Sequence, residues 1–118
     1  MYSVILFCLI TMINVFMYMH NIGDEITRLR DLVHAVRDIG DWKGLCMNLD
    51  VDLGTMEHIE YSSAPNKKLE CLTAYLKQGE ANWNHVVRAV AMLGNKRVAR
   101  KIAQKHGIDF EKVVRDEF

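Results

Sequence analysis

The chain has 118 residues, half of them hydrophobic and a quarter charged, with zero formal net charge and a pI of about 7.0. This length suits a single folded domain, and the composition excludes a disordered or collagen-like chain. The neutral balance also disfavours a dedicated nucleic-acid-binding domain, because such domains usually carry an excess of basic residues.

The first nineteen residues are apolar except for Ser3, Thr11 and Asn14. As a helix they would span about 28 Å at ~1.5 Å per residue, enough for the hydrocarbon core of a membrane. The segment has no basic n-region, which favours an anchor over a cleaved signal peptide. Arginines follow it and no Lys or Arg precedes it, so an anchored domain would lie at the cytosolic face. Two alternatives stay open for residues 1–20: an extra buried or partner-binding helix, or a wrongly assigned start.

From residue 24 to residue 107 the apolar residues follow helical spacing, and no segment alternates convincingly with a period of two. Six short helices are predicted, with Asp41 and Asn82 capping the second and fifth, Pro65 beginning the fourth and Asn95 capping the sixth. The third is predicted to begin at Gly54. Because no helix can bury its apolar stripe alone, the expected fold is an all-α antiparallel bundle.

The apolar stripes define a predicted core, which also includes Leu69 and, at the end of the third helix, Tyr61. Its central members are Leu32, Trp42, Leu45, Leu49, Ile59, Leu72, Leu76, Trp83, Val87, Val90 and Ile102. Residues 108–118 form a tail that could add a helical turn or two or could fray.

Three cysteines, Cys8, Cys46 and Cys71, are widely spaced and include no Cys-x-x-Cys pair. This pattern indicates neither a disulfide framework nor a zinc site, so reduced thiols are expected. Cys46 and Cys71 fall on apolar faces, where they would serve as small core residues. A small enzyme built on one of them is the least favoured class of function.

No pattern in the chain is typical of a catalytic, metal or cofactor site. The five histidines include no pair at the i, i+4 spacing that suits a shared metal, and the glycines stand singly instead of forming a phosphate loop. The sequence therefore predicts no catalytic residue, no metal and no cofactor.

Charge is segregated along the chain. Residues 50–60 carry Asp50, Asp52, Glu57 and Glu60 with no Lys or Arg, whereas residues 95–106 carry only basic charges. One end of a molecule could therefore complement the other end of a second copy. The alternative is that both runs are ordinary solvated helix faces.

Two segments show a family resemblance. "DWKGLCMNLDV" at 41–51 and "LTAYLKQGEANWNHVVRAVAMLGNKRVARKI" at 72–102 resemble the death domain, the six-helix bundle of apoptotic and innate-immune signalling, over residues 24–107. Cys46 stands where the family often has Ala, Asp50 where Gly is frequent, and Tyr75 where Trp is common. The caspase-recruitment and death-effector bundles are close alternatives.

The resemblance implies non-enzymatic, homotypic assembly with other death-fold domains, through asymmetric contacts between two pairs of surfaces. In this chain the first pair would set Arg28, Arg30, Arg37, Lys67 and Lys68 against Asp50, Asp52, Glu57 and Glu60. The second pair would set Lys77 and Glu80 against Lys96, Arg97 and Arg100. Such head-to-tail contacts build rings or helical stacks. The implied location is cytoplasmic, with membrane attachment through residues 1–19.

A second hypothesis comes from the basic helix at 95–106, which follows the Gly94-Asn95 turn as the recognition helix follows the turn in a helix-turn-helix DNA-binding protein. The neutral total charge and the lack of base-reading Asn, Gln or Ser on the helix flank disfavour nucleic acid as a partner.

Overall fold

The computed structural model describes residues 25–117, with side chains to residue 115, and this range is helical. Within it the only extended pairing is an isolated antiparallel bridge between Glu25 and Asn82. The predicted all-α class is confirmed for this range. The apolar segment 1–20 and Cys8 lie outside the described residues, so the predictions made for them stay predictions.

Seven helices follow one another in the described range: α1 Leu29–Ala35, α2 Trp42–Asn48, α3 Leu53–Tyr61, α4 Lys67–Lys77, α5 Trp83–Met92, α6 Lys96–Lys105 and α7 Phe110–Glu117. The first six correspond in order to the predicted helices, and α7 occupies the tail. α4 packs against α1, α2 and α3, whereas α5 packs against α2, α6 and α7. These two helices therefore form the centre of the fold.

Short polar side chains begin most of these helices by accepting hydrogen bonds from free backbone N–H groups. The carboxylate of Asp41 and the amide oxygen of Asn82 each accept from the N–H three residues later, at 2.9 and 2.8 Å, which confirms both predicted caps. Asp52 and Asn66 do the same for α3 and α4. Asn95 occupies the cap position of α6, but its side chain makes no capping hydrogen bond.

Two predicted helix starts are wrong. α3 begins at Leu53 instead of Gly54, because Asp52 is its cap. α4 begins at Lys67 instead of Pro65, because the Asn66 side chain accepts from the backbone N–H of Leu69 at 3.0 Å and thereby defines the first turn. In both places a capping side chain determines the start.

A single apolar cluster joins the helices. Nine of the eleven central predicted core residues are buried, while Trp42 and Leu76 are half-buried and pack against the same cluster. Two inward assignments are wrong, since Tyr61 is 85% exposed and Leu69 is 39% exposed. Tyr61 ends α3 and Leu69 lies in the first turn of α4, and residues at helix ends have fewer neighbours to cover them.

Cys46 on α2 and Cys71 on α4 form a disulfide across the centre of the core, with their Cα atoms 6.5 Å apart. Both are fully buried, as their positions on apolar faces predicted. The expectation of reduced thiols is wrong for this pair in the structure. The two cysteines lie 25 residues apart in sequence, and only the packing of α2 against α4 brings them together.

Within residues 25–117, no helix combines the length and the apolar character needed to cross a bilayer.

Candidate interaction surfaces

α6 presents the basic surface that the sequence predicted. Its apolar stripe of Ala99, Ile102 and Ala103 is buried, so its cations lie on the opposite side and are all exposed. Among the described residues, neither Lys96 nor Arg97 has an ion-pair partner. This end of α6 therefore offers two exposed cations to a second molecule.

Arg100 differs from its neighbours because α7 lies beside it. Its guanidinium lies 5.1 Å from the centre of the Phe110 ring and 4.0 Å from a carboxylate oxygen of Glu111. A cation over an aromatic ring and a long, exposed ion pair each contribute only modestly. These contacts orient Arg100 toward the start of α7 and reduce its availability to a partner.

The acidic segment 50–60 is largely engaged within the molecule. Glu60 pairs with the ammonium of Lys43 at 2.8 Å, and this contact raises the pKa of Lys43. Asp52 caps α3, and Asp50 lies 3.3 Å from the imidazole of His85. Of the four acidic residues assigned to this surface, Glu57 alone has no such contact with the described part of the chain.

Two of the predicted partner-binding lysines make hydrogen bonds within the molecule. Lys67 donates to the backbone carbonyl of Glu60 at 2.6 Å, so two residues assigned to opposite surfaces meet within one molecule. Lys68 donates to the carbonyls of Val36 and of Ile39, the latter at 2.6 Å. Partial burial lowers the pKa of Lys68, against an opposing influence from Asp38. Lysines that cap carbonyls at helix ends stabilise the chain's turns.

The remaining predicted contact residues are exposed. These are Arg28, Arg30 and Arg37 around α1, Lys77 at the end of α4, and Glu80 in the segment after it. None of them takes part in an ion pair among the described residues. They are therefore accessible to a partner.

A polar network that the sequence analysis missed lies where α2, α4 and α5 meet. The Tyr75 hydroxyl lies 3.1 Å from Nδ1 of His85 and accepts from the backbone N–H of Asn82 at 3.3 Å. The other ring nitrogen of His85 faces Asp50 at 3.3 Å. Desolvation raises the pKa of Tyr75, so its phenol stays protonated and acts as a hydrogen-bonding group.

Asp50 adopts a left-handed backbone conformation, with φ of 59°. Residues other than Gly, Asn and Asp rarely do so, because in an L-residue Cβ approaches the following carbonyl. Asp is one of the few residue types that tolerate this conformation, so the residue at position 50 is compatible with it. No single-residue pattern would have paired it with His85, which lies 35 positions later.

Between residues 25 and 117, no group of three or more His, Cys, Asp and Glu side chains is arranged to hold a metal ion.

Comparison of the chain with protein-family models, with curated proteins and with solved structures found no match.

Proposed function

We propose that this chain is a non-enzymatic interaction module of the death-domain type, which assembles with copies of itself or with related helical domains in signal transduction. The observation that carries the proposal is the surface of α6, where Lys96 and Arg97 are exposed and have no ion-pair partner among the described residues. Exposed charges of one sign steer association and set its register.

Two features of the fold support a death-domain relationship. The first six helices follow the order expected from the resemblance, with Asn82 and Trp83 opening the fifth. Asp50 has a positive φ at the position where the family frequently has Gly, a residue suited to that conformation. The seventh helix is an addition to the six-helix pattern.

Internal contacts change which residues are offered to a partner. We remove Lys67 and Lys68 from the first surface, because they donate to carbonyls of their own chain. That surface then consists of Arg28, Arg30 and Arg37, and Glu57 is its main acidic counterpart. For the second pair we retain Lys77 and Glu80 against Lys96 and Arg97, with Arg100 in a secondary place.

The proposed location is the cytoplasm, with residues 1–19 as a candidate membrane attachment. The Cys46–Cys71 disulfide bears on this location, because cytosolic thiols are usually kept reduced. A disulfide in protein isolated from cells under alkylating conditions would place the domain in an oxidising compartment and would contradict this location.

Charge reversal tests the proposed surface. The variant Lys96→Glu with Arg97→Glu should remain monomeric at low ionic strength, where the unaltered chain should associate, because the reversed charges would lose their attraction to Glu80 on the opposing copy and would repel it. Light scattering after gel filtration, over a range of protein concentration and salt, gives the mass of the species. Association of the unaltered chain should weaken as salt rises.

A matched control reverses the charge of two basic residues that lie outside both proposed surfaces. Lys112→Glu with Arg115→Glu changes the net charge equally on α7, and it should leave association intact. Unchanged self-association in the Lys96 and Arg97 variant would refute the surface. The DNA-binding alternative rests on the same exposed cations, and a mixed-sequence duplex that is not retarded in a gel at low salt would dismiss it.

A further inference from the structure

A second basic feature lies on the other end of α6, away from Lys96 and Arg97. Here a cleft of about 170 Å³ runs between the last turns of α6 and the segment that ends α1. Ala35, Val98 and Ile102 are among the residues that line it. The proposed assembly surfaces use none of the α6 residues of this cleft and share only Arg37 with it.

Basic side chains dominate the lining of the cleft. Lys101 and Lys105 come from α6, Arg37 comes from the segment after α1, and His34 and His106 add two imidazoles. The one acidic residue of the lining is Asp38, which also influences Lys68 nearby. Within the described chain, none of the three permanent cations has an ion-pair partner within 4.0 Å.

This arrangement opposes folding. Lys101 and Lys105 are four residues apart on one helix, and like charges at that spacing repel. Arg37 adds a third cation from the facing segment. A protein tolerates such a cluster most readily where a bound anion compensates it, because several cations around a small concave site attract multiply charged anions strongly.

The position of His106 gives the cleft a fixed wall. Its ring stacks on buried Trp83, with ring centres 3.8 Å apart and planes 14° from parallel. A ring held in this way cannot swing out to solvent without losing the stack. Asp31 lies close enough to influence His106 but does not line the cleft.

We propose that this cleft binds a small, multiply phosphorylated ligand, with Arg37, Lys101 and Lys105 contacting its phosphate oxygens. The volume is below the ~300 Å³ of pockets that enclose drug-sized ligands, so it suits one or two phosphate groups instead of a whole nucleotide. The rest of the ligand would project into solvent. Both a soluble polyol phosphate and the headgroup of a phosphorylated lipid offer this chemistry.

The competing explanation is that the cations only offset the partial negative charge at the C-terminal ends of α1 and α6, which both lie at the cleft. That explanation predicts no phosphate binding, so the two can be separated directly.

The test uses the full chain and inorganic pyrophosphate as the probe, with binding followed by calorimetry and by amide chemical shifts. Pyrophosphate should bind and should shift the resonances of residues 34–38 and 98–106. Lys101→Gln with Lys105→Gln should weaken binding roughly tenfold or more, because two charge-assisted contacts are lost. Circular dichroism checks that this variant folds.

A charge-matched control separates the cleft from general attraction. Lys112→Gln with Arg115→Gln also removes two cations, on α7, and should bind pyrophosphate as the unaltered chain does. No binding of pyrophosphate, or equal weakening in both variants, would overturn the proposal.

A vesicle arm identifies the source of the phosphate. Vesicles containing a phosphatidylinositol bisphosphate are compared with phosphatidylserine vesicles of equal surface charge and with a soluble inositol polyphosphate. Cleft-dependent binding that is tighter on the first vesicles indicates a lipid headgroup, whereas cleft-dependent binding of the soluble compound alone indicates a free ligand. If substitution of Lys101 and Lys105 left vesicle binding unchanged, the proposed phosphate site in the cleft would be wrong.

Discussion

Asp50 combines an unfavourable backbone conformation with a weak side-chain contact. Its φ of 59° lies in the left-handed region, yet its side chain is 85% exposed and faces His85 at 3.3 Å. An exposed pair of this kind contributes little to stability. The backbone conformation is therefore the dominant influence of position 50 on the free energy of unfolding.

We predict that Asp50→Gly is more stable than Asp50→Ala by about 1 kcal/mol, because only Ala meets the steric cost of a positive φ. Both variants lose the carboxylate equally, so their difference isolates the backbone. Urea denaturation followed by circular dichroism gives the two free energies of unfolding.

The same pair of substitutions at Glu57 is the control. Glu57 is exposed within α3, where Ala should be more stable than Gly by about 1 kcal/mol, the usual order in a helix. If Asp50→Ala were also more stable than Asp50→Gly, the left-handed conformation of Asp50 would be wrong.

His106 makes stability depend on pH. Desolvation in its packed position lowers its pKa, the neighbouring charge of Lys105 lowers it further, and Asp31 opposes both. Because the unfolded imidazole titrates near ~6.5, the unfolded chain takes up this proton before the folded chain does. The stability that comes from keeping His106 neutral is complete above the pKa of the unfolded chain. It is lost as the pH falls through the pKa of His106 in the folded chain.

We therefore predict that the unaltered chain loses more stability than His106→Gln does when the pH is lowered from neutral to mildly acidic. Denaturation series at several pH values measure the difference in slope. An NMR titration of the imidazole should place its pKa below ~6.5. A pKa above that value, or equal slopes in the two proteins, would contradict the predicted desolvation.

At the scale of elements, the disulfide is the covalent link between α2 and α4. It closes a loop across 25 positions, and in the chain-entropy model such a loop stabilises the folded state by about 3.5 kcal/mol. The pair also lies in the centre of the core, where α2 and α4 would otherwise be held by apolar contact alone.

Reduction should therefore lower the free energy of unfolding by about 3 to 4 kcal/mol, measured by urea denaturation with and without a phosphine reductant. Mass spectrometry after alkylation in denaturant should count one reactive thiol before reduction and three after it, since the chain has three cysteines. Cys8→Ser is the control, because it leaves the pair intact and should retain the full effect of reductant. Three reactive thiols before reduction would show that the pair is not linked.

The first residues of the helices show which features can be predicted from a few neighbouring residues. Asp41 and Asn82 were predictable because a capping side chain and its target N–H lie three residues apart. Pro65 misled the prediction because proline is well suited to a first helical position, but the following Asn66 supplies the capping hydrogen bond. Where two local signals compete within two residues, the sequence pattern does not decide between them.

At the scale of the whole molecule, zero net charge removes general repulsion between copies, so it would not oppose the proposed association through segregated charges. This segregation can be read directly from the sequence, but most carboxylates of the acidic segment already have contacts within the molecule. Asp52 caps a helix through a local contact, whereas the pairing of Glu60 with Lys43 depends on the fold. A charge count along the chain cannot distinguish a free carboxylate from one that a neighbour already engages.

The sequence by itself determined the helical class, the order of the first six helices and most of the core, because helical periodicity and capping act over three or four residues. Only the tertiary structure decided the Cys46–Cys71 link, the contact of Asp50 with His85 and the basic cleft beside Arg37. The partners in each case are 25 or more residues apart or lie on different elements. Their proximity is set by how the helices pack, and no local pattern encodes it.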